Sequence, residues 1–243
     1  MEIVMILLQI LGYWILAYMA SGIVHEGGHV VAGLMQGWKF LLMVVGPIKL
    51  YRDENDKVKL GIEKNILYWF GIGGTLPRKK GDENIRKFAK ILLAGPLASI
   101  LFGLLCGMSL LFGVTIFRAM ITLMPITMGI FCLIPSFKTG ILYSDGGRFL
   151  RIMKGGKTFA EEKALLDAVI LDQCDPEGRH EEEDIRTMME SEDKSFQYLG
   201  HYYAYLNSKK DFLQSEMTVH MVAMKNLAKE VPKSILDMCI LEG

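Results

Sequence analysis

Three stretches of the chain run apolar for longer than a water-soluble helix tolerates. Residues 3–24 contain 22 positions without a charge, about 33 Å of helix at ~1.5 Å per residue. That length matches the ~30 Å hydrocarbon layer of a bilayer. Residues 91–117 add 27 uncharged positions and residues 119–137 a further 19, the last interrupted by Pro125 and Pro135. Membrane helices accept such prolines where neighbours or water satisfy the freed backbone. The first stretch follows no basic segment and carries no small-residue cleavage site, so it reads as an anchor and not as a removable signal.

Between the first two stretches the pattern changes. Residues 40–48 are partly β-branched and end in Gly46-Pro47, residues 57–62 alternate polar and apolar, and Asp53-Glu54-Asn55-Asp56 has turn composition. This predicts a small β-hairpin over 40–62 at the membrane surface. A glycine-rich loop (Gly71, Gly73, Gly74) then leads to Arg78-Lys79-Lys80. From residue 158 the period is helical. Thr158 and Glu161 have capping-box spacing ahead of the apolar run 164–171. Asp175-Pro176-Glu177-Gly178 breaks that helix, an acidic helix follows at 181–192, and 196–207 with 212–229 form a helix pair. Phe196, Leu199, Gly200 and Tyr203 have the spacing of a first tetratricopeptide helix, in one copy; the segment reads as an ordinary helical bundle. The expected fold is therefore mainly α and integral to the membrane. It has about three transmembrane helices, the hairpin, and a C-terminal soluble helical domain. A membrane core spans 1–157 and the tail 158–243.

Charge sharpens this division. The 243 residues carry 27 Lys+Arg and 27 Asp+Glu, with 51% hydrophobic and 22% charged positions. A neutral, apolar chain is neither disordered nor a nucleic-acid binder. The balance is uneven along the chain: residues 1–157 hold 18 basic and 9 acidic side chains, and residues 158–243 hold 9 and 18. Twelve Lys+Arg lie between Lys39 and Lys90, and Lys138, Arg148, Arg151, Lys154 and Lys157 follow the third stretch, against Arg118 alone in the other connection. The positive-inside rule places both basic regions in the cytoplasm. A multi-pass protein of the plasma membrane is expected, with its active site towards the cytoplasmic side. The acidic tail is expected to regulate the core or to dock a partner. The four scattered cysteines argue against a disulfide framework and read as buried small hydrophobes.

His25-Glu26-Gly27-Gly28-His29 carries the chemistry. Histidines at i and i+4 share one helix face and reach one metal ion, with Glu26 placed to take a proton from a bound water. Chance gives about 0.007 such motifs in a chain of this composition. Zinc suits two nitrogens and one oxygen, leaving a fourth position for water. Asp145, in Tyr143-Ser144-Asp145-Gly146-Gly147 beyond the third stretch, is the candidate oxygen ligand, although an Asp at a helix start is also an ordinary N-cap. Asp82 and Glu83 are weaker candidates in a charged loop.

An HExxH helix at membrane depth, a later Gly-Pro span and a final Asp-Gly together resemble the site-2 protease family of intramembrane zinc metalloproteases. The resemblance covers about residues 1–157. His25, Glu26, His29, Asp145 and Gly146 match its motifs residue by residue. Ala94-Gly95-Pro96-Leu97-Ala98-Ser99 is similar to its Gly-Pro-x-x-Asn segment, with Ser99 at the Asn position. Cys132-Leu133-Ile134-Pro135 falls where the family shows Asn-x-x-Pro. The resemblance implies a zinc metalloendopeptidase that cuts a membrane-spanning protein or peptide. It makes Glu26 catalytic, His25, His29 and Asp145 metal ligands, and Ser99 and Cys132 substrate-binding. The alternative is a non-catalytic membrane adaptor that keeps a relic metal site.

Overall fold

The first helix, α1 (Glu2–Met35), turns its polar residues inward. Its buried positions are Ala17, Ser21, Gly22, His25, Glu26, His29 and Gly33, a stripe at three- and four-residue spacing on one face. Ile3, Leu7, Leu11, Leu16 and Ile23 on the other faces stay exposed. This reverses the pattern of a water-soluble helix. It suits a hydrocarbon surrounding, where only polar groups need protein around them. The structure, a computed structural model, describes all residues except 54, 136–137, 140–141 and 240–243, and omits the side chains of 138, 139, 142, 237 and 238. Three helical segments are long and apolar enough to cross a membrane: Glu2–Met35, Glu83–Phe112 and Ile116–Leu133.

After α1 come β1 (Lys39–Val45), β2 (Ile48–Arg52), β3 (Val58–Ile62), a 3₁₀ turn (Ile66–Phe70) and β4 (Ile72–Leu76). They are followed by α2 (Glu83–Gly107), α3 (Ile116–Leu133), β5 (Lys138–Thr139), β6 (Leu142–Tyr143) and α4 (Asp145–Lys154). The remaining helices are α5 (Gly156–Cys174), α6 (Glu182–Met189), α7 (Lys194–Lys210), α8 (Gln214–Leu227) and α9 (Lys233–Met238). The expected second and third apolar stretches part at Gly113, whose φ of 112° ends one helical segment. Thr115 then caps α3 by accepting from the Arg118 N–H at 3.2 Å. The expected end of the third stretch, residue 137, lies outside the described residues.

The small sheet differs from the expected hairpin. Its antiparallel order is β3-β2-β1-β4. Gly46, at φ 55°, and Pro47 form a two-residue connection between the paired Val45 and Ile48. Glycine first in such a turn suits the primed hairpin geometry, so the chain reverses there and β2 pairs in turn with β3. The glycine-rich segment, expected as a loop, is the edge strand β4, with Gly73 opposite Met43 and Gly74 opposite Leu42 on β1.

By its contacts the chain divides into two compact units. One comprises Met1–Pro77, Lys87–Phe137 and Ser144–Phe149; the other comprises Arg78–Arg86, Lys138–Tyr143 and Leu150–Gly243. The boundary expected between 157 and 158 is therefore not where the units part, and it falls inside α5. Residues 78–86 go with the tail because Lys80 Nζ meets carboxylates of Glu181, Asp184 and Asp167 at 2.7, 3.2 and 3.6 Å. Counting charge along the sequence had assigned that lysine to the basic half.

The second unit packs around Phe196, Leu199 and Tyr203 of α7, the positions that suggested a tetratricopeptide helix. A Cβ on Gly200 would fall 2.6 Å from the Met189 backbone nitrogen, so only glycine lets α7 pass the end of α6. Arg151 bonds the buried carboxylates of Glu161 and Glu162. Its guanidinium also lies over the rings of Tyr143 and Phe196, at 4.6 and 4.8 Å. Burial, together with the hydrogen bond that Tyr143 donates to Asp193, pushes the Tyr143 phenol up to about 12.

Where α7 meets α8, His201 Nδ1 lies 3.2 Å from His220 Nδ1. One nitrogen donates and the other accepts, so the accepting ring has to be neutral and the bond is lost when both rings are protonated. Burial holds both imidazoles below their ordinary value, and His220 adds to the effect on His201. The unfolded chain then binds protons that the folded pair refuses, so stability falls as pH drops through 6.5. Amide exchange along α7 and α8 is expected to speed up between neutral and mildly acidic pH. His220→Gln, which keeps a donor and an acceptor without titrating, should flatten that response.

Candidate metal centre

The site begins with α1, where one helical turn separates His25 from His29 and their ring centroids lie 5.0 Å apart. Each ring is oriented by a bond on its far nitrogen. His29 Nδ1 is 2.8 Å from the Ile91 carbonyl. A carbonyl only accepts, so Nδ1 carries the hydrogen and Nε2 keeps its lone pair. His25 Nδ1 lies 3.0 Å from the Ser99 hydroxyl. Both partners stand on α2, near Pro96, which cannot donate to the helix ladder there.

Both Nε2 atoms converge on Asp145. Its Oδ2 is 3.3 Å from His25 Nε2 and 3.5 Å from His29 Nε2. A tetrahedral ion with ligands at about 2.0–2.1 Å separates its donor atoms by about 3.3–3.4 Å. Each of the two carboxylate–imidazole separations is close to that of neighbouring ligands around such an ion, and the donor chemistry of the residues present fits it. The outer bonds of the two rings are also the kind that orient metal-binding histidines.

Close backbone approaches make this convergence possible. A Cβ on Gly95 would fall 2.3 Å from His29 Nε2, and one on Gly28 would fall 2.7 Å from the Ala94 carbonyl oxygen. At Gly146 a Cβ would lie 2.1 Å from the Leu133 carbonyl oxygen. The first turn of α4 thus rests on the last turn of α3, an approach reinforced by Ser144 Oγ donating to the Ile134 carbonyl at 2.7 Å. Asp145 is delivered to the histidines by that junction. Glycine at 146 is a steric requirement that its place in the motif alone does not reveal.

Glu26 is buried beside the histidines and accepts a hydrogen bond from the Gly73 backbone N–H. The β4 edge lies directly on it: a Cβ on Gly71 would sit 2.3 Å from its Oε1, and one on Gly73 2.7 Å from its backbone oxygen. The sequence reading missed these two glycines as site residues, because glycine in a polar connection signals only a turn. Ser21, Gly22, Gly27 and Gly28 lie around the two histidines on α1. Gly28 packs on α2, Gly22 meets Val45, and the Ser21 hydroxyl bonds the Ala17 carbonyl. Gly27 is the one of the four with open space, nothing lying within 4 Å of its Cβ position.

The other expected site residues fall differently. Ser99, assigned to substrate by the resemblance, is fully buried with its hydroxyl on His25. Cys132, also assigned to substrate, stands one residue before the end of α3. Its Sγ and one donor atom each of His25 and Asp145 all lie within 4.8 Å of one another, a His–Cys–Asp group that could hold a metal ion. Asp82 pairs with Lys163 at 3.4 Å. The chain matches no family model, no curated protein and no solved structure.

Proposed function

We propose that this chain is an intramembrane zinc metalloendopeptidase that hydrolyses a peptide bond in or near a transmembrane segment of its substrate. One observation carries the reading: two oriented imidazoles each reach one carboxylate oxygen at 3.3 and 3.5 Å, with a buried glutamate one residue along from the first imidazole. In the proposal His25, His29 and Asp145 hold zinc, while Ser99 and the Ile91 carbonyl keep the rings aimed. Zinc held there would supply a water molecule of pKa about 7 and a Lewis acid for the scissile carbonyl. Glu26 accepts the proton of the attacking water and returns it to the leaving amine. The Gly73 N–H keeps the Glu26 carboxylate pointed into the site.

A substrate helix hides its own carbonyls and must unwind before attack. The edge strand β4 supports a specific form of presentation, in which the unwound segment adds to the sheet and regains main-chain hydrogen bonds. β4 suits this role because its Gly73 lies against Glu26. The basic connections favour a cytoplasm-facing site in the plasma membrane. A relic adaptor with the same ligands would bind zinc and cut nothing.

Purified in detergent, the whole chain is expected to hold one zinc ion. Asp145→Ala should weaken that affinity by ~100-fold or more, beyond the ~10–100-fold that losing an outer-shell partner costs. Metal analysis after dialysis against graded chelator makes the comparison. A wild-type chain that leaves the column without metal and fails to take up added zinc removes the reading.

A further inference from the structure

Cys132 has no part in the hydrolysis just described, yet it stands among the metal-binding atoms. It lies on the last turn of α3, which the Gly146 and Ser144 contacts clamp to the start of α4. Its sulfur is therefore held on the same junction that supplies Asp145. The group it forms with His25 and Asp145 spans at most 4.8 Å between donor atoms. A tetrahedral ion bound to sulfur at about 2.3 Å and to nitrogen at about 2.0 Å places those two atoms about 3.5 Å apart. The observed bound exceeds that separation by at most about 1.3 Å.

We propose that Cys132 is a fourth protein ligand of this centre, which closes the site at rest by taking the position a water molecule otherwise fills. The inference rests on the metal-centre reading above and deepens it. The chemistry of the donor set supports it. Thiolate is the ligand form of cysteine, and a soft sulfur donor beside imidazole nitrogen favours zinc over magnesium or calcium. On ligation the Cys132 S–H bond would break and its proton would be released to solvent. The sulfur forms one bond to the ion, and the displaced water leaves intact, so no oxidant or reductant is required. A backbone carbonyl of an unwound substrate, arriving along β4, competes for the same position and returns the thiol to its protonated form.

Cobalt(II) substituted into the full-length protein in detergent tests the assignment without any measurement of cleavage. Sulfur ligation gives an intense near-ultraviolet charge-transfer band besides the weaker visible cobalt bands. The expected result is that the wild type shows the band, Cys106→Ser keeps it, and Cys132→Ser and Cys132→Asn lose it while retaining the visible bands. In the wild type, added zinc should slow alkylation of Cys132 by roughly tenfold or more, because the ligated sulfur is no longer a free nucleophile. This readout stands even where the Cys132 variants fail to fold. Cobalt retained with visible bands and no charge-transfer band overturns the Cys132 proposal and leaves the metal centre in place. A band that survives in Cys132→Ser overturns it too. A wild type that takes up neither cobalt nor zinc overturns both readings.

Discussion

Replacing Glu26 by glutamine is expected to leave bound zinc at the wild-type amount and to reduce hydrolysis by roughly 10²–10⁴-fold, the range that a positioned general base contributes. The substitution keeps the side chain's length and its place against β4. The amide oxygen of the new side chain still accepts from the Gly73 N–H, so the packing of Gly71 and Gly73 on this position is preserved. Only the capacity to take a proton is removed. Metal analysis, with cleavage of a co-expressed single-span reporter read by gel mobility, separates the two quantities. Unchanged cleavage in the variant would sink the assignment of Glu26 as the base. Reporter processing absent from the wild type as well, with zinc bound, would favour the adaptor.

The second large effect is expected at Gly95. Its Cβ would sit 2.3 Å from His29 Nε2 and 2.6 Å from Cε1 of the same ring. The ring has little freedom to retreat, because its other nitrogen is bonded at 2.8 Å to the Ile91 carbonyl on the same helix. An alanine here must break that bond or push α2 away from α1. Either movement takes Nε2 off the position where it meets Asp145. Gly95→Ala should therefore lose zinc affinity by ~100-fold or more, on the reasoning that outer-shell losses alone cost ~10–100-fold. Gly27→Ala is the matched control. That position has nothing within 4 Å of a Cβ, and alanine there removes ~1 kcal/mol of glycine's helix penalty. Zinc titration of both variants decides the matter: equal affinities would mean that the Gly95 contact does not position His29.

Much of this arrangement was legible before any coordinates. Length and hydropathy alone located the three apolar segments, because a bilayer imposes a minimum run that few soluble helices reach. The i, i+4 spacing put both histidines on one face. Asp145 needed more: a lone Asp at a helix start is ambiguous, and only its recurrence beside an apolar segment at similar depth singled it out. Three features were not legible. The identity of β4 was hidden because Ile72-Gly73-Gly74-Thr75-Leu76 lacks the side-chain alternation that announces a strand, and its glycines make sense only against Glu26. Lys80 was counted with the basic half, since linear charge totals carry no information on which carboxylates a lysine meets. Cys132 was read as a small apolar side chain and, by the resemblance, as substrate-binding, not as a metal-centre residue, as its proximity to Asp145 arises from the contact of α3 with α4 and not from any sequence spacing.

The distribution of the donors along the chain has a consequence for biosynthesis. His25 and His29 leave the ribosome first, on a helix whose polar stripe faces nothing until later segments arrive. Asp145 follows more than a hundred residues afterwards, and Gly146 must be made before the end of α3 can receive it. A nascent chain that has inserted its first two apolar segments therefore carries the histidines but lacks the carboxylate. If the chain is the metallopeptidase proposed above, metal capture would be a late event of synthesis, and a truncated product ending before α4 would lack the carboxylate. The order of translation itself would keep the proposed centre from forming until the segment that completes it has been made.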